Sequence, residues 1–405
     1  MSSYYLLIIN IIQIAILFLL ILATLYILVY SIAGIFYRQP PYPQNARLKK
    51  IAVLIPGYKE DGVIVEVAKE ALSQSYPKEM FDVIIIADSF QPETLVKLRE
   101  LPIKVIEVSF EKSTKSKALN SAMSQLDSIY EIAVVLDADN VMAYDFLTKM
   151  NGAFERNYVA IQGHRTAKNQ NNSFAVLDAV SEEINNHIFR KGHRVLGLSS
   201  AIIGSGMAFE YTFFKNLMSS VKAVGGFDKE IELKMLQGRY KIAYLEDAHV
   251  YDEKVQKAEV FSNQRRRWLS AQFHYFRLDF LSSLKDLLLK GNVDYFDKIL
   301  QFIQPPRILL LGAVAILGTI FLISNYLLNN SLLYQWIWII VAICCFTSVL
   351  ISIPGSLYNL KTLAAVAYLP KGMFLMLGSL LRIKGANKKF IHTQHTSPII
   401  NNQKK

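Results

Sequence analysis

Cysteine is almost absent: the two that occur, Cys344 and Cys345, are adjacent and lie in an apolar stretch. Such a pair implies neither a disulfide framework nor a zinc site. No glycine-rich dinucleotide fingerprint and no Walker loop follows any of the expected strands, which argues against a nicotinamide enzyme or an ATPase. Acidic residues stop at Asp297, whereas Arg382, Lys384, Lys388 and Lys389 cluster near the end. Much of the formal charge of +11 therefore sits where anionic lipid or a diphosphate could meet it. Nucleic acid is not an expected partner, because a basic run fastened to membrane spans is accounted for by the membrane.

Charge is missing altogether from Tyr4 to Tyr37. At about 1.5 Å of rise per residue this run exceeds the hydrocarbon thickness, so 4–37 is expected to be one tilted transmembrane helix. A cleaved signal peptide is not expected, since the basic start is lacking and the run is too long. Two further spans, 308–328 and 332–353, are separated by Asn329-Asn330-Ser331. The apolar segment 362–382 is interrupted by Pro370-Lys371-Gly372 and fits a kinked span, a re-entrant segment or an interfacial helix. Arg38, Lys49, Lys50, Lys298, Arg307 and Lys361 flank the spans on one side. By the positive-inside rule the large middle region is cytoplasmic, and the chain is expected to be a multi-pass protein of a bacterial inner membrane in contact with lipid.

The middle region, 48–257, reads as an α/β domain. Ile51 to Ile55 is continuously apolar and ends at Pro56-Gly57, the pattern of a strand buried on both faces, as in a parallel sheet. Helices are expected over 60–74, 92–100 and 115–126, and strands over 82–87, 104–108 and 132–136. Alternation at this spacing predicts an open sheet that binds ligands at the carboxyl ends of its strands, where Asp88 and Asp137 fall. From Ala175 the composition changes, and Asn185 to His193 with the Gly204-Ser205-Gly206 loop suggest a second half that shapes an acceptor site. Residues 258–304 are expected to form interfacial amphipathic helices, and 383–405 a basic tail.

Several side chains are suited to chemistry. Asp137 and Asp139 follow a buried strand, where a divalent cation held by them could neutralise a departing diphosphate; a turn after a strand is an equally ordinary use of such acids. Asp88 could bond a base or ribose, or cap the helix near Pro92. Lys115 stands at a helix start, a position matched to phosphate. Gly225 to Leu233 places Asp228, Glu230 and Glu232 after a glycine turn, and one of these carboxylates could serve as the base for an acceptor hydroxyl. Gln264, Arg267 and Trp268 share one helical face, where a guanidinium can clamp phosphate and an indole can stack on a sugar.

Taken together these motifs resemble the family 2 inverting glycosyltransferases, in particular the processive membrane branch with cellulose synthase, hyaluronan synthase and chitin-oligosaccharide synthase. The resemblance runs in motif order from about Ile51 to Trp268. It implies a cytoplasmic nucleotide-sugar-binding domain of glycosyltransferase A type between N-terminal and C-terminal transmembrane helices. It further implies that Pro56, Tyr58, Glu60, Asp88, Lys115, Asp137, Asp139 and Arg267 contact the nucleotide sugar. Asp137 and Asp139 would hold Mg²⁺ or Mn²⁺, with Asp139 the more direct ligand. Lys59 replaces the usual Asn before Glu60, and Thr114 the usual Gly before Lys115. Gln264, Arg267 and Trp268 match the motif associated with processive synthesis. Aligning Glu232-Leu233 with the family's acidic motif makes Glu230 the expected base, with Asp228 the other candidate. Phe390 to His395 loosely resembles a gating loop.

The implied reaction is transfer of glucose or N-acetylglucosamine from a UDP-sugar donor to a growing extracellular or capsular glycan acceptor. A wide export channel would need a second copy of the chain or an export partner. Two other readings use the same residues: addition of one sugar to a lipid-linked acceptor, and an inactive membrane scaffold that binds glycan or nucleotide.

Overall fold

The computed structural model describes residues 2–383 apart from 44, 224 and 257. The basic tail from Lys384 on, with Phe390 to His395, lies outside the described residues.

In the first half, strands β1 (Ile51–Tyr58), β2 (Phe81–Asp88), β3 (Lys104–Val108) and β4 (Ile132–Val135) alternate with helices. Counting the N-terminal helix α1 (Ser2–Ile35) first, these are α2 (Ile64–Leu72), α3 (Pro92–Arg99) and α4 (Lys115–Gln125). Residues 60–63, expected to be helical, form the turn that precedes α2, where the Glu60 carbonyl accepts from the Val63 and Ile64 amides. The apolar runs of β1, β2 and β4 are buried on both faces, each full burial of a Val, Ile or Leu side chain stabilising the fold by about 1.5–3 kcal/mol. Pro92 opens α3, where its fixed φ and missing N–H cost nothing.

The second half adds β5 (Val141–Met142), α5 (Phe146–Phe154), β6 (Ala160–Ala167) and α6 (Ser173–Asn185). A π-helical turn, Asn186–Gly192, then runs into α7 (His193–Val195). It is followed by β7 (Met207–Glu210), α8 (Tyr211–Ser219), α9 (Phe227–Gln237) and β8 (Ile242–Asp252). All eight strands join one sheet in the order β3-β2-β1-β4-β7-β6-β8-β5. The sheet is mixed, which alters the expectation of a parallel one: β3, β2, β1 and β4 are parallel, but β7 runs antiparallel to both β4 and β6. The cause is the Gly204-Ser205-Gly206 turn, whose glycines take left-handed φ of 80° and 63° and return the chain along β4, with Gly206 N 2.9 Å from the Val135 carbonyl.

Three described helices are long and apolar enough to cross a membrane: α1 and, after α10 (Ala258–Lys290) and α11 (Val293–Ile303), α12 (Arg307–Leu327) and α13 (Leu332–Leu350). A fourth span is formed if α14 (Leu360–Val366) and α15 (Leu369–Leu381), bent by 54° at their junction, count as one. The chain thus has a multi-pass membrane arrangement with a soluble domain between its apolar helices. Polar side chains fasten the spans to one another: Asn325 donates to Gln13 at 3.1 Å and Ser352 to Ser31 at 3.0 Å. The far end of α1 lies against the π-helical turn, closely enough that a Cβ on Gly192 would collide with the Tyr30 carbonyl.

Candidate active site

A cleft of 460 Å³ opens at the carboxyl ends of β1, β2 and β4 and runs to α9, α10 and α11. Pro56, Tyr58, Glu60, Asp88, Lys115, Asp137 and Asp139 all line it, as do Asp228, Gln264, Arg267 and Trp268. Glu230 does not.

The strand ends set the first wall. Asp88 closes β2, is 2% exposed and accepts from the Ser89 hydroxyl at 3.0 Å. It does not cap α3, whose N-cap is Gln91, so its carboxyl faces the cleft. Beyond β4, the Asp137 amide donates to Ser205 Oγ at 2.9 Å, tying the acidic turn to the glycine turn beside it. Asp139 is 3% exposed, and its Oδ2 accepts from the Glu253 amide at 3.4 Å. Lys115 Nζ donates to Asp137 Oδ1 at 2.5 Å and to the Gly204 carbonyl at 2.7 Å. Thr114, which stands where the family pattern has Gly, is the N-cap of α4 and accepts from the Lys117 amide at 3.2 Å.

The same glycine turn lies beside α9, which carries both candidate bases. A Cβ on Gly204 would stand 3.7 Å from Asp228 Cβ, so Asp228 faces the turn that also holds Lys115. Glu230 instead turns its carboxylate to the Lys222 amide at 3.2 and 3.3 Å and to Lys234 at 3.6 Å. Its position follows from helix geometry: two residues apart on α9, the two acids point to different faces. Glu232, one turn beyond Asp228, lines the cleft and pairs with Lys298 of α11 at 2.8 Å. Burial pushes the Glu232 carboxyl above its ordinary value despite that ammonium.

On α10, Gln264, Arg267 and Trp268 present one face to the cleft. Burial lowers the Arg267 guanidinium below its ordinary range, which favours an anion beside it. Trp268 is 36% exposed, and the Arg265 guanidinium, itself paired with Asp178, lies 4.3 Å from its ring.

Sequence reasoning missed a buried charge cluster that itself lines the cleft. Arg165 of β6 donates to Glu182 of α6 at 2.9 Å, Arg190 stands 3.4 Å from the same carboxylate, and Lys254 pairs with Asp252 at 2.8 Å. Asp252, like Asp88, is an acid that closes a strand, and that pattern could have flagged it. The contribution of α11 had no comparable signal, because Lys298, Gln301 and Phe302 become cleft residues only when that helix folds back over α9.

Asp137 and Asp139 offer the hard oxygen donors that Mg²⁺ and Mn²⁺ take, and Mg²⁺ commonly binds through one or two carboxylates plus substrate phosphates. Among the described residues no three His, Cys, Asp or Glu side chains converge on one point. The donor set therefore fits an ion that arrives with a diphosphate.

The family model described as "Glycosyltransferase like family 2" matches residues 48–271, more than half of the chain, and the protein belongs to that family. It is 24% identical over 331 residues to the Bacillus subtilis protein named "Probable glycosyltransferase YdaM", covering 78% of this chain and 76% of that one. It is 23% identical over 354 residues to an N-acetylglucosaminyltransferase of Rhizobium meliloti, covering 82% of this chain and 78% of that one. Its fold is similar to that of a mannosyltransferase from Pyrobaculum calidifontis, solved in complex with GDP-Man and Mn²⁺. That likeness has a TM-score of 0.51 at 17% identity and covers 84% of this chain and 99% of that one. The soluble domain thus has the α/β fold of glycosyltransferase A type and is flanked by apolar helices.

Proposed function

We propose that the protein is a processive inverting β-glycosyltransferase. It takes glucose or N-acetylglucosamine from a UDP-sugar on the cytoplasmic face of the inner membrane and adds it to a growing extracellular or capsular polysaccharide. One observation carries the reading: a single cleft joins the strand-end acids, the Gln264, Arg267 and Trp268 face, and the helix that leads into α12. The Rhizobium relative adds support for N-acetylglucosamine as a donor sugar.

In this reading Asp88 and Lys115 hold the nucleotide and its diphosphate. Mg²⁺ or Mn²⁺, held by Asp137 and Asp139, would neutralise charge that develops on the leaving diphosphate. Asp228 takes the proton from the acceptor hydroxyl, whose oxygen attacks the anomeric carbon as the bond to the diphosphate breaks, so UDP leaves and configuration inverts. Asp228 is preferred to Glu230 because its side chain lines the cleft and that of Glu230 binds backbone elsewhere. Arg267 meets the departing charge, and Trp268 supplies a stacking face for sugar.

The test is UDP release by the purified full-length chain across a panel of UDP-sugars, followed by sizing of the product. A polymer ladder from UDP-glucose or UDP-N-acetylglucosamine supports the reading. Addition of a single sugar would assign the chain to lipid-linked transfer, and absence of turnover with every donor would leave only a binding scaffold.

A further inference from the structure

The membrane-side end of the cleft is built by α11, a helix that composition alone marks as interfacial. Lys298, Gln301 and Phe302 stand at spacings of three and four residues and therefore share the face that lines the cleft. The flank of α11 next to Gln301 is pinned: Asp297 accepts from Tyr30 at 2.5 Å and Tyr26 at 3.2 Å, both on α1, and stands 3.0 Å from His193 Nε2. The inward face is held in place before any ligand arrives.

Within that face one amide is oriented and unused. Lys298 Nζ donates to Gln301 Oε1 while pairing with Glu232, which fixes the amide so that Nε2 is the group left over. Among the described residues Gln301 Nε2 donates no hydrogen bond. Phe302 follows it, and Phe189 lines the cleft from the π-helical turn. An amide donor beside aromatic rings is the chemistry that recognises a sugar, whose hydroxyls accept hydrogen bonds and whose C–H face packs on an aromatic surface.

The position is equally specific. Glu232 lies one helical turn from Asp228 on α9, so a path runs along the cleft wall from Asp228 through Glu232 and Lys298 to Gln301. An acceptor whose hydroxyl reaches Asp228 must lay its remaining rings along some wall of the cleft, and this wall leads toward α12 and the membrane. We propose that Gln301, with Phe302 and Phe189, forms an acceptor subsite that binds a sugar ring of the growing chain behind the one that reacts. The inference rests on the transferase reading and adds a specificity-determining residue to it.

The experiment uses the full-length chain in nanodiscs of bacterial inner-membrane lipid, supplied with the UDP-sugar that gives the fastest UDP release. Released UDP is compared with free monosaccharide, so that transfer to water is separated from transfer to an acceptor of any kind. Gln301→Ala and the near-isosteric Gln301→Glu, which keeps the acceptor oxygen and removes the amide donors, are each expected to raise the free-sugar fraction at least threefold. The dissociation constant for UDP is expected to stay within twofold, whereas a purely structural role for Gln301 would weaken UDP binding as well. An unchanged free-sugar fraction in both variants, or parallel loss of UDP binding, overturns the subsite and leaves the proposed function standing. A wild-type chain that yields only free sugar, or no UDP, overturns both.

Discussion

Lys115 Nζ stands 2.5 Å from Asp137 Oδ1, so a side-chain ammonium already neutralises the first acid of the Asp137-Ala138-Asp139 turn. The Gly204 carbonyl holds the same ammonium at 2.7 Å. A diphosphate entering here meets a cation fixed by two bonds, and a charge-assisted hydrogen bond of this kind contributes about 1.5–3 kcal/mol. Lys115→Met is therefore expected to raise KM for the UDP-sugar by about 10- to 100-fold, read from UDP release against donor concentration.

Asp139 is the more deeply placed acid of that turn, so its carboxylate cannot be replaced by solvent. Asp139→Asn is expected to lower kcat by about 100- to 1000-fold, the range found when one preorganised charge-stabilising group is removed. Unaltered thermal unfolding together with unaltered turnover would count against a role in the reaction.

The two acids near the start of α9 have opposite surroundings and predict opposite outcomes. Asp228→Asn is expected to abolish transfer to acceptor while UDP still binds. Glu230→Gln keeps an oxygen for the Lys222 amide and is expected to retain transfer within a few fold, with a stability loss of about 1 kcal/mol. Reversal of the two results, measured as product formed per UDP released, would move the base to Glu230.

Acid should destabilise the domain through its buried carboxylates. Burial alone would raise Glu182, but Arg165, Lys254 and Arg190 more than offset it and hold its carboxyl well below the usual range. Asp252 is lowered likewise, its burial outweighed by Lys254 and Arg165. A depressed folded-state value means that stability is fully present above the ordinary carboxylate range, near pH 4, and is lost as pH falls through the folded-state values. Thermal melts of the full chain should show a steep fall in the midpoint below about pH 4. A midpoint flat down to pH 2 would contradict these ion pairs.

Gly192→Ala tests how closely α1 is joined to the soluble domain. The added methyl would press on the Tyr30 backbone, and overpacking of this kind costs about 1–3 kcal/mol. A lower melting midpoint with UDP affinity preserved is the expected result, since Asp88, Lys115, Asp137 and Asp139 stand on other elements.

Most of the first half of the domain is written locally. The run Ile51 to Ile55 is apolar at every position, and Lys104–Val108 is a strand where the sequence pattern places one. The helix over 60–74 starts late because residues 60–63 make a turn, a boundary that side-chain periodicity does not mark. That Asp88, Asp137 and Asp139 would stand at one edge of the sheet was legible because they fall at or just past the ends of buried strands. The choice between Asp228 and Glu230 was not, because motif spacing aligns residues without saying which helical face meets the cleft. The place of Arg265 over Trp268 has no local signal, because it depends on the Asp178 carboxylate of α6.

The sequence by itself determined the apolar spans, the strand and helix alternation, and the chemical types gathered at the strand ends. These follow from periodicity and hydropathy, which act over a few residues. Tertiary structure alone decided that β7 runs antiparallel, that Glu230 binds the Lys222 backbone, that Arg165 and Glu182 meet in the interior, and that Lys298, Gln301 and Phe302 enter the cleft. Each of those outcomes depends on contacts between segments far apart in the chain, where hydrogen-bond geometry and the exclusion of water choose among arrangements that local patterning leaves equal.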